Sequence, residues 1–193
     1  MDDISDLRKR GGALFYVERL DVAGGRDALS ALAALLSDAV TAGAALGFVP
    51  PLDMAEADAY WQDALVAVEK GVRVLLVARA VEDGRIVGTA SLELAQKANG
   101  RHRAEVTKVI VDARARQRGI GRLLLDAVED EARRLGRTLL VLDTRRGDIA
   151  EGMYRTHGYE VAGIIPRYAS EASGALHDTV VFYREIDATS HVD

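Results

Sequence analysis

The sequence predicts an α/β (α+β) domain with antiparallel strands at its centre and helices flanking them. Apolar residues alternate between strand and helix periodicity along the 193 residues. The pair Asp83-Gly84 lies between two apolar runs, which is a strong β-hairpin signal. Hydrophobic residues make up 49% of the chain, enough to bury a substantial core. We therefore expect one domain over residues 1–193.

The first half of the chain is predicted to contain a strand, two helices and a hairpin. Residues 14–20 have strand character, and residues 27–46 carry apolar positions at helical spacing. Asp53 is placed to cap a second helix that ends at Gly71. The hairpin strands are expected at 72–82 and 85–96.

Residues 28–49 are the segment most similar to a membrane span. Asp38 lies near their middle, and many of the other residues are small or polar. A buried helix of a water-soluble domain is therefore the better interpretation. The first ten residues are acidic and then basic, with no apolar stretch behind them, so they are not predicted to be a signal peptide.

The second half is predicted to alternate strands and helices. Residues 120–135 place apolar side chains on one helical face, and Gly136 is a helix stop. The run TLLVLDT at 138–144 predicts a strand that is buried on both faces. Residues 187–193 are expected to form a frayed tail. The remaining elements are a strand at 103–112, a helix at 148–157 and strands at 159–166 and 178–186.

The charge is distributed unevenly. The chain has a formal net charge of −5, yet residues 101–122 are basic. An acidic body with one basic patch argues against general nucleic-acid binding and indicates a compact anionic ligand at the patch. The patch contains Arg101, Arg103, Lys108, Arg114, Arg116, Arg118 and Arg122 against Glu105 and Asp112.

The chain has no cysteine and four scattered histidines. The first fact excludes disulfides, thiolate metal ligands and a cysteine nucleophile, and it suits a reducing compartment, so we expect a cytoplasmic protein. The histidines lack ligand spacing, so no metal site is predicted.

A phosphate-binding arrangement is indicated where an arginine-rich loop meets a helix through Gly119-Ile120-Gly121. The first turn of a helix has unpaired N–H groups and partial positive charge. Glycines would let a phosphate approach those amides, and the arginines would add mobile charge. An ordinary helix start with solvated arginines remains open. Neither a P-loop nor a dinucleotide fingerprint is present.

Residues 111–125, VDARARQRGIGRLLL, resemble the acetyl-CoA motif of the GNAT N-acetyltransferases. Their pattern [Q/R]-x-x-G-x-[G/A] is met by residues 116–121, and AEGMYRTHGYEVAG at 150–163 is similar to a second family segment through Ala150, Tyr154, Gly158 and Tyr159. Residues 101–184 further resemble the branch that contains the tabtoxin resistance acetyltransferase.

The resemblance implies the GNAT acyl-CoA N-acyltransferase fold and acetyl-CoA as co-substrate, with no metal. The fold is a central mixed, mostly antiparallel sheet of about six to seven strands with about four helices. The pantetheine arm would lie along β-strand backbone that splays from residues 139–143. Many members have asparagine where this chain has Gly147, so that contact is in doubt. The implied cofactor-binding residues are Val109, Ile110, Val111, Arg116, Gln117, Arg118, Gly119, Ile120, Gly121, Arg122, Ala150 and Tyr154.

Three residues are candidates for catalysis. Tyr154 is expected to protonate the leaving thiolate, because a phenol is a donor at neutral pH. Asp143 interrupts an apolar strand, and burial would raise its pKa towards that of a useful base. Glu105 is the rival base. The alternative interpretations are that Tyr154 is a core tyrosine, that Asp143 is a strand-end aspartate and that Glu105 is a solvated edge glutamate. The oxyanion donor is expected to be the N–H of Val109 or Val111.

The predicted reaction is acetyl transfer from acetyl-CoA to a small primary amine by direct attack in a ternary complex. The acceptor pocket is expected between the first two helices, the hairpin at 167–174 and Asp143. Tyr60 and Trp61 could line it or pack in the core. An antibiotic or antimetabolite is the predicted acceptor, and peptide amines and polyamines stay open as acceptors. A homodimer is possible. Neither nucleic acid nor a membrane is expected as a partner. The alternatives are a non-catalytic acetyl-CoA sensor and a nucleotide-binding module.

Overall fold

The computed structural model describes residues 14–187 and confirms the mixed α/β fold class. Residues 188–193 of the predicted tail lie outside the described residues. The elements are β1 (Phe15–Leu20), α1 (Val22–Thr41), α2 (Met54–Glu69), β2 (Arg73–Ala80), β3 (Ile86–Leu94), β4 (Arg103–Val111), α3 (Ile120–Arg134), β5 (Leu139–Arg145), α4 (Ile149–Thr156), β6 (Glu160–Ser170) and β7 (Leu176–Glu185).

The strands form one open sheet in the order β1-β2-β3-β4-β5-β7-β6. Every neighbouring pair is antiparallel except β4 and β5, which run parallel. Their pairing covers only residues 103–105 of β4 and 139–141 of β5. Beyond these residues the two strands part, as the resemblance implied. The gap that they leave in the sheet is the β4–β5 wedge.

Two hydrophobic cores lie on opposite faces of the sheet. On one face, Leu124, Leu125 and Val128 of α3 pack against the strands together with Tyr154 of α4. On the other face, α1 and α2 enclose Trp61, which is fully buried. Trp61 therefore belongs to the core and does not line a pocket. No helix within residues 14–187 is long and apolar enough to span a membrane.

Strand β5 is buried on one face only, so the prediction of burial on both faces is wrong. Leu140 and Leu142 are buried, whereas Asp143 is exposed. Helices α1 and α2 pack mainly on β1 to β4 and leave this part of the sheet uncovered. The apolar run alone could not reveal that coverage, because it depends on how far the helices extend across the sheet.

Helix α1 begins and ends earlier than predicted. Asp21 caps it by accepting a hydrogen bond from the Gly24 N–H at 2.7 Å. Gly25 then lies against Leu65 of α2, where a Cβ would approach within 2.2 Å of Leu65 Cδ2. The helix ends at Thr41, shortly before Gly43, whose φ of 89° is left-handed.

Strand β6 extends to Ser170, beyond its predicted end at Pro166. It is the edge strand, with β7 as its neighbour. An edge strand tolerates proline, because one side of its backbone needs no ladder hydrogen bond. The other predicted strands and helices are confirmed with small changes at their ends.

Gly88→Ala should destabilise the fold, because Gly88 lies where β3, β4 and the first turn of α3 meet. A Cβ there would lie 2.9 Å from the Ile110 carbonyl oxygen and 3.2 Å from Ile120 Cγ2. We expect urea unfolding to show a loss of about 1–3 kcal/mol. Gly152→Ala is the control: it lies in α4 with nothing within 4 Å of its Cβ position, and it should gain about 0.5–1 kcal/mol. Equal stability of Gly88→Ala and wild type would contradict this packing.

Candidate active site

A β-bulge interrupts β4 in the part of the strand that no longer pairs with β5. Ser91 pairs with Thr107 and Thr89 pairs with Ile110, so β4 contains one residue more than β3 between these points. Lys108 lies in the bulge with a left-handed φ of 53°. Val106 and Val109 both pack on the α3 side of the sheet. In a regular strand two residues three positions apart would face opposite sides, so the bulge has changed the alternation.

The bulge changes which residues of this strand share a face. In a strand without a bulge, residues 105, 107, 109 and 111 would form one row. Instead, Thr107 contacts Glu93 on the α1–α2 side, whereas Val109 and Val111 pack on the α3 side. The strand therefore presents Val109 and Val111 to the face opposite Thr107, whereas Ile110 packs in the core beneath α1 and α2.

The turn before α3 leaves its first N–H groups unpaired. Gly119 is the N-cap, with φ 81°, and it supplies no side-chain cap. The other three helices of the described chain are each capped by an aspartate, namely Asp21, Asp53 and Asp148. Among residues 14–187, no hydrogen-bond acceptor is found for the backbone N–H groups of residues 119–122. These donors are available to an anion.

The two glycines of the turn have different roles. Gly119 has open space around the position of a Cβ, and its left-handed φ is the reason for glycine. At Gly121 a Cβ would lie 2.5 Å from Met153 Sδ of α4. Backbone conformation therefore explains Gly119, and Gly121 lets α4 pack against α3. The expectation that the glycines clear space for a phosphate stays a prediction.

Two of the arginines are held in place, so the prediction that they supply mobile charge is wrong for them. Arg114 donates two side-chain hydrogen bonds to Asp112, at 3.1 and 3.0 Å. The Arg118 guanidinium stacks on the Phe15 ring with 4.6 Å to its centroid. Arg116 Nε lies 3.5 Å from the Val111 carbonyl oxygen. Arg116 and Arg122 are exposed at this turn.

Tyr154 is buried beside the wedge. Its ring contacts those of Tyr159 and Phe182, with centroids 5.8 and 5.9 Å away. Within the described residues its hydroxyl has no hydrogen-bond partner. Burial raises the pKa of Tyr154, and the charges of Asp148 and Asp143 raise it further. The phenol thus remains protonated and can donate a proton. Ala150, one turn earlier, donates its N–H to Asp148 Oδ1 at 3.1 Å.

The Asp143 side chain is exposed and accepts a hydrogen bond from Thr179 Oγ1 at 2.8 Å. The expectation of a buried carboxylate is therefore wrong, because β5 is uncovered on this face. Burial was the reason for assigning Asp143 as a base, so this assignment no longer has that support.

Glu105 lies in a more unusual environment. It is directly opposite Glu93 in the β3–β4 ladder, an arrangement of like charges that is ordinarily destabilising. Partial burial raises the pKa of Glu105, followed by the negative charges of Glu93 and Asp143. No hydrogen bond to its carboxylate is present within residues 14–187. Such a carboxylate is suited to accept a proton.

A polar network beside Glu105 was missed at the level of sequence. Arg73 donates to Glu93 Oε1 at 2.5 Å and to the Tyr60 hydroxyl at 3.2 Å. Thr107 Oγ1 also donates to Glu93, at 3.1 Å. Glu93 is the single charged residue in the otherwise uncharged strand 86–94, which was the available clue.

The open seven-stranded sheet, parted between β4 and β5, has the GNAT fold of acyl-CoA N-acyltransferases. A model of the Acetyltransferase (GNAT) family matches residues 34–159. The match spans more than half of the chain, and the chain therefore belongs to this family.

The chain is also similar to a protein known by sequence and to two solved structures. An uncharacterized N-acetyltransferase from the hisH-hisA intergenic region of Azospirillum brasilense is 39% identical over 131 residues, covering 67% of this chain and 74% of the relative. The crystal structure of ribosomal-protein-alanine N-acetyltransferase from Brucella melitensis is similar with a TM-score of 0.72 at 26% identity, covering 88% and 99% of the two chains. An acetyltransferase from Salmonella typhimurium, yncA, solved with acetyl-CoA, has a TM-score of 0.72 at 22% identity and 94% and 99% coverage.

Asp112→Asn should loosen the loop that leads into the turn. Asp112 accepts the Arg114 N–H at 2.9 Å and pairs with the Arg85 side chain at 3.1 Å. The hydrogen bond from the Arg114 side chain chiefly lowers the pKa of Asp112. We expect a loss of about 1 kcal/mol at pH 7 in urea unfolding, because asparagine keeps the acceptor for the Arg114 N–H but loses the charge of the bonds to Arg85 and Arg114.

The pH dependence follows from the lowered pKa. The stabilisation by Asp112 is complete above its unfolded pKa and is lost as the pH falls through its folded pKa. The stability difference between wild type and Asp112→Asn should therefore shrink below about pH 4. Asp63→Asn, at an exposed site in α2, is the control. A difference that stays constant on acidification would argue against this role.

Proposed function

We propose that the chain transfers an acetyl group from acetyl-CoA to a small primary amine, by direct attack in a ternary complex. The observation that carries the proposal is the uncapped start of α3, whose unpaired N–H groups lie beside the β4–β5 wedge. A diphosphate matches those donors, and an amide-bearing arm matches the unpaired strand backbone. The acetyl-CoA in the Salmonella typhimurium relative is consistent with this ligand.

The residues proposed to hold acetyl-CoA follow the wedge from the turn inwards. The N–H groups of residues 117–122 would bind the diphosphate, and Arg116 and Arg122 would contribute charge. Backbone groups of residues 109–111 would bind the pantetheine arm. The thioester would then lie towards Tyr154 and Ala150 of α4.

Three steps of the chemistry can be assigned to side chains and backbone. Glu105 is our preferred acceptor of the amine proton, because the pKa of Glu105 is raised and its carboxylate has no partner within residues 14–187. Asp143 is the second candidate, acting directly or through water. The N–H of Val109 or Val111 would stabilise the oxyanion, and Tyr154 would protonate the departing thiolate.

The acceptor is proposed to bind on the face of the wedge lined by Glu105 and Asp143, near the β6–β7 hairpin. At the tip of that hairpin, Glu171 pairs with Arg145 of β5. An antibiotic or antimetabolite, as in the tabtoxin resistance branch, stays a prediction, and so do a cytoplasmic location and a homodimer. The Brucella melitensis relative is described as acting on a ribosomal-protein alanine.

A non-catalytic acetyl-CoA sensor is the alternative. It would bind acetyl-CoA equally well, but it would not need a protonated phenol and a carboxylate with raised pKa near the same wedge. The two functions differ in whether thiol is released when an amine is added.

Tyr154→Phe tests the enzyme and its proton donor together. We expect calorimetry to detect acetyl-CoA binding to both wild type and variant, because the phenyl ring keeps its packing. Thiol release against a panel of small amines should fall by about 100-fold in kcat, since general acid catalysis contributes at least that much. Binding without turnover in wild type would favour the sensor. Undiminished turnover in the variant would contradict the acid assignment.

Glu105→Gln tests the base through the pH profile. The ionised carboxylate is the active form, and its pKa is raised, so kcat/KM of wild type should begin to fall on acidification at a higher pH than an ordinary glutamate would give. The variant should lose this acidic limb and have a lower kcat/KM. Glu82→Gln, at an exposed site, should keep the wild-type profile. An unchanged limb in Glu105→Gln would assign the titration to another group.

A further inference from the structure

Lys108 has an environment that the proposed transfer reaction does not explain. Its side chain leaves the bulge of β4 towards α1 and α2, and its Nζ lies 5.0 Å from the centroid of the Tyr60 ring and 5.9 Å from that of Phe48. The side chain is half-buried. The ammonium is therefore held by two aromatic faces in a fixed position and is partly removed from water.

No carboxylate among residues 14–187 lies within ion-pair distance of Lys108, although acids surround it. Glu93 is engaged by Arg73 and Thr107, and Asp143 accepts from Thr179. Within residues 14–187, Lys108 therefore forms no ion pair with an acid across the sheet.

A partly buried cation without a paired carboxylate costs free energy, and the charges of Glu93, Glu105 and Asp143 offset only part of that cost. Removal from water is the chief reason that the pKa of Lys108 is lowered. An anionic group on a ligand could offset the remaining cost. The position of Lys108 also fits this role, because it lies in the part of β4 that has left β5 and three residues after Glu105.

We propose that Lys108 binds a carboxylate or similar anionic group of the acceptor, and that the acceptor is therefore a zwitterion of the amino-acid type. Its amine would lie at Glu105 and Asp143, and its anionic group at Lys108. The inference rests on the proposed acetyl transfer and specifies its substrate class. It disfavours polyamines, because their second cation would meet the ammonium of Lys108, and it disfavours amines whose carboxylate is blocked.

Matched acceptors test the proposal without a mutation. Each of the twenty protein amino acids is compared with its carboxamide and with a polyamine, spermidine, in the thiol-release assay with acetyl-CoA. We expect at least one amino acid to be preferred over its carboxamide by tenfold or more in kcat/KM. Carboxamides or spermidine used as well as the best amino acid would overturn the substrate class while leaving acetyl transfer intact.

Variants of Lys108 then test whether its side chain causes the preference for an amino acid over its carboxamide. Lys108→Met should raise the KM for the preferred amino acid by tenfold or more, with a smaller change in kcat, and should abolish the preference over the carboxamide. Lys108→Arg keeps the charge and should keep the preference. Lys97→Met, at an exposed lysine, is the matched control and should behave as wild type. A preference that survives Lys108→Met would remove Lys108 from the recognition of the acid group.

Failure of the transfer reaction gives a different result. If wild type acetylates no amine, the proposed function fails, and each amino acid is then titrated into the CoA-loaded protein by calorimetry. Heat that is present in wild type and absent in Lys108→Met would support the zwitterion site on its own. No heat with any amino acid would overturn it.

Discussion

The brief parallel contact between β4 and β5 is the constraint on which the candidate site depends. Three residue pairs join the strands at one end, and the rest of each strand diverges. Backbone N–H and C=O groups that face such a gap need partners. The sheet continues through β7 on the far side of β5, so the gap lies within the sheet and has fixed walls. An extended, amide-bearing ligand can add to these walls as a strand would.

The bulge at Lys108 changes the faces to which the side chains of β4 point. One extra residue changes which side chains face each side of the sheet. Valines on the α3 side pack beneath the backbone proposed to hold the cofactor, while Glu105 and Lys108 are on the side proposed for the acceptor. A single backbone irregularity thus brings a carboxylate and an ammonium of the same strand to the acceptor side.

The charged side chains also distinguish the start of α3 from the starts of the other helices. An aspartate caps each of α1, α2 and α4 and accepts one N–H of its first turn, whereas α3 begins at Gly119 without a side-chain cap. Asp112 fixes Arg114 in the approach to the turn, and Phe15 holds Arg118. The basic patch is therefore partly a scaffold for the loop, and unpaired donors are concentrated at one helix start.

The sequence by itself determined the features that depend on neighbours along the chain. The hairpin at Asp83-Gly84, the cap at Asp53, the helix stop at Gly136 and the turn through Gly119 follow from local backbone preferences. Tertiary structure decided the rest. The exposure of Asp143, the like charges of Glu93 and Glu105 and the aromatic surroundings of Lys108 arise from residues far apart in sequence. The bulge leaves no clear mark in the sequence, because it consists of one residue more on one strand than on its partner, and register is a property of the pair.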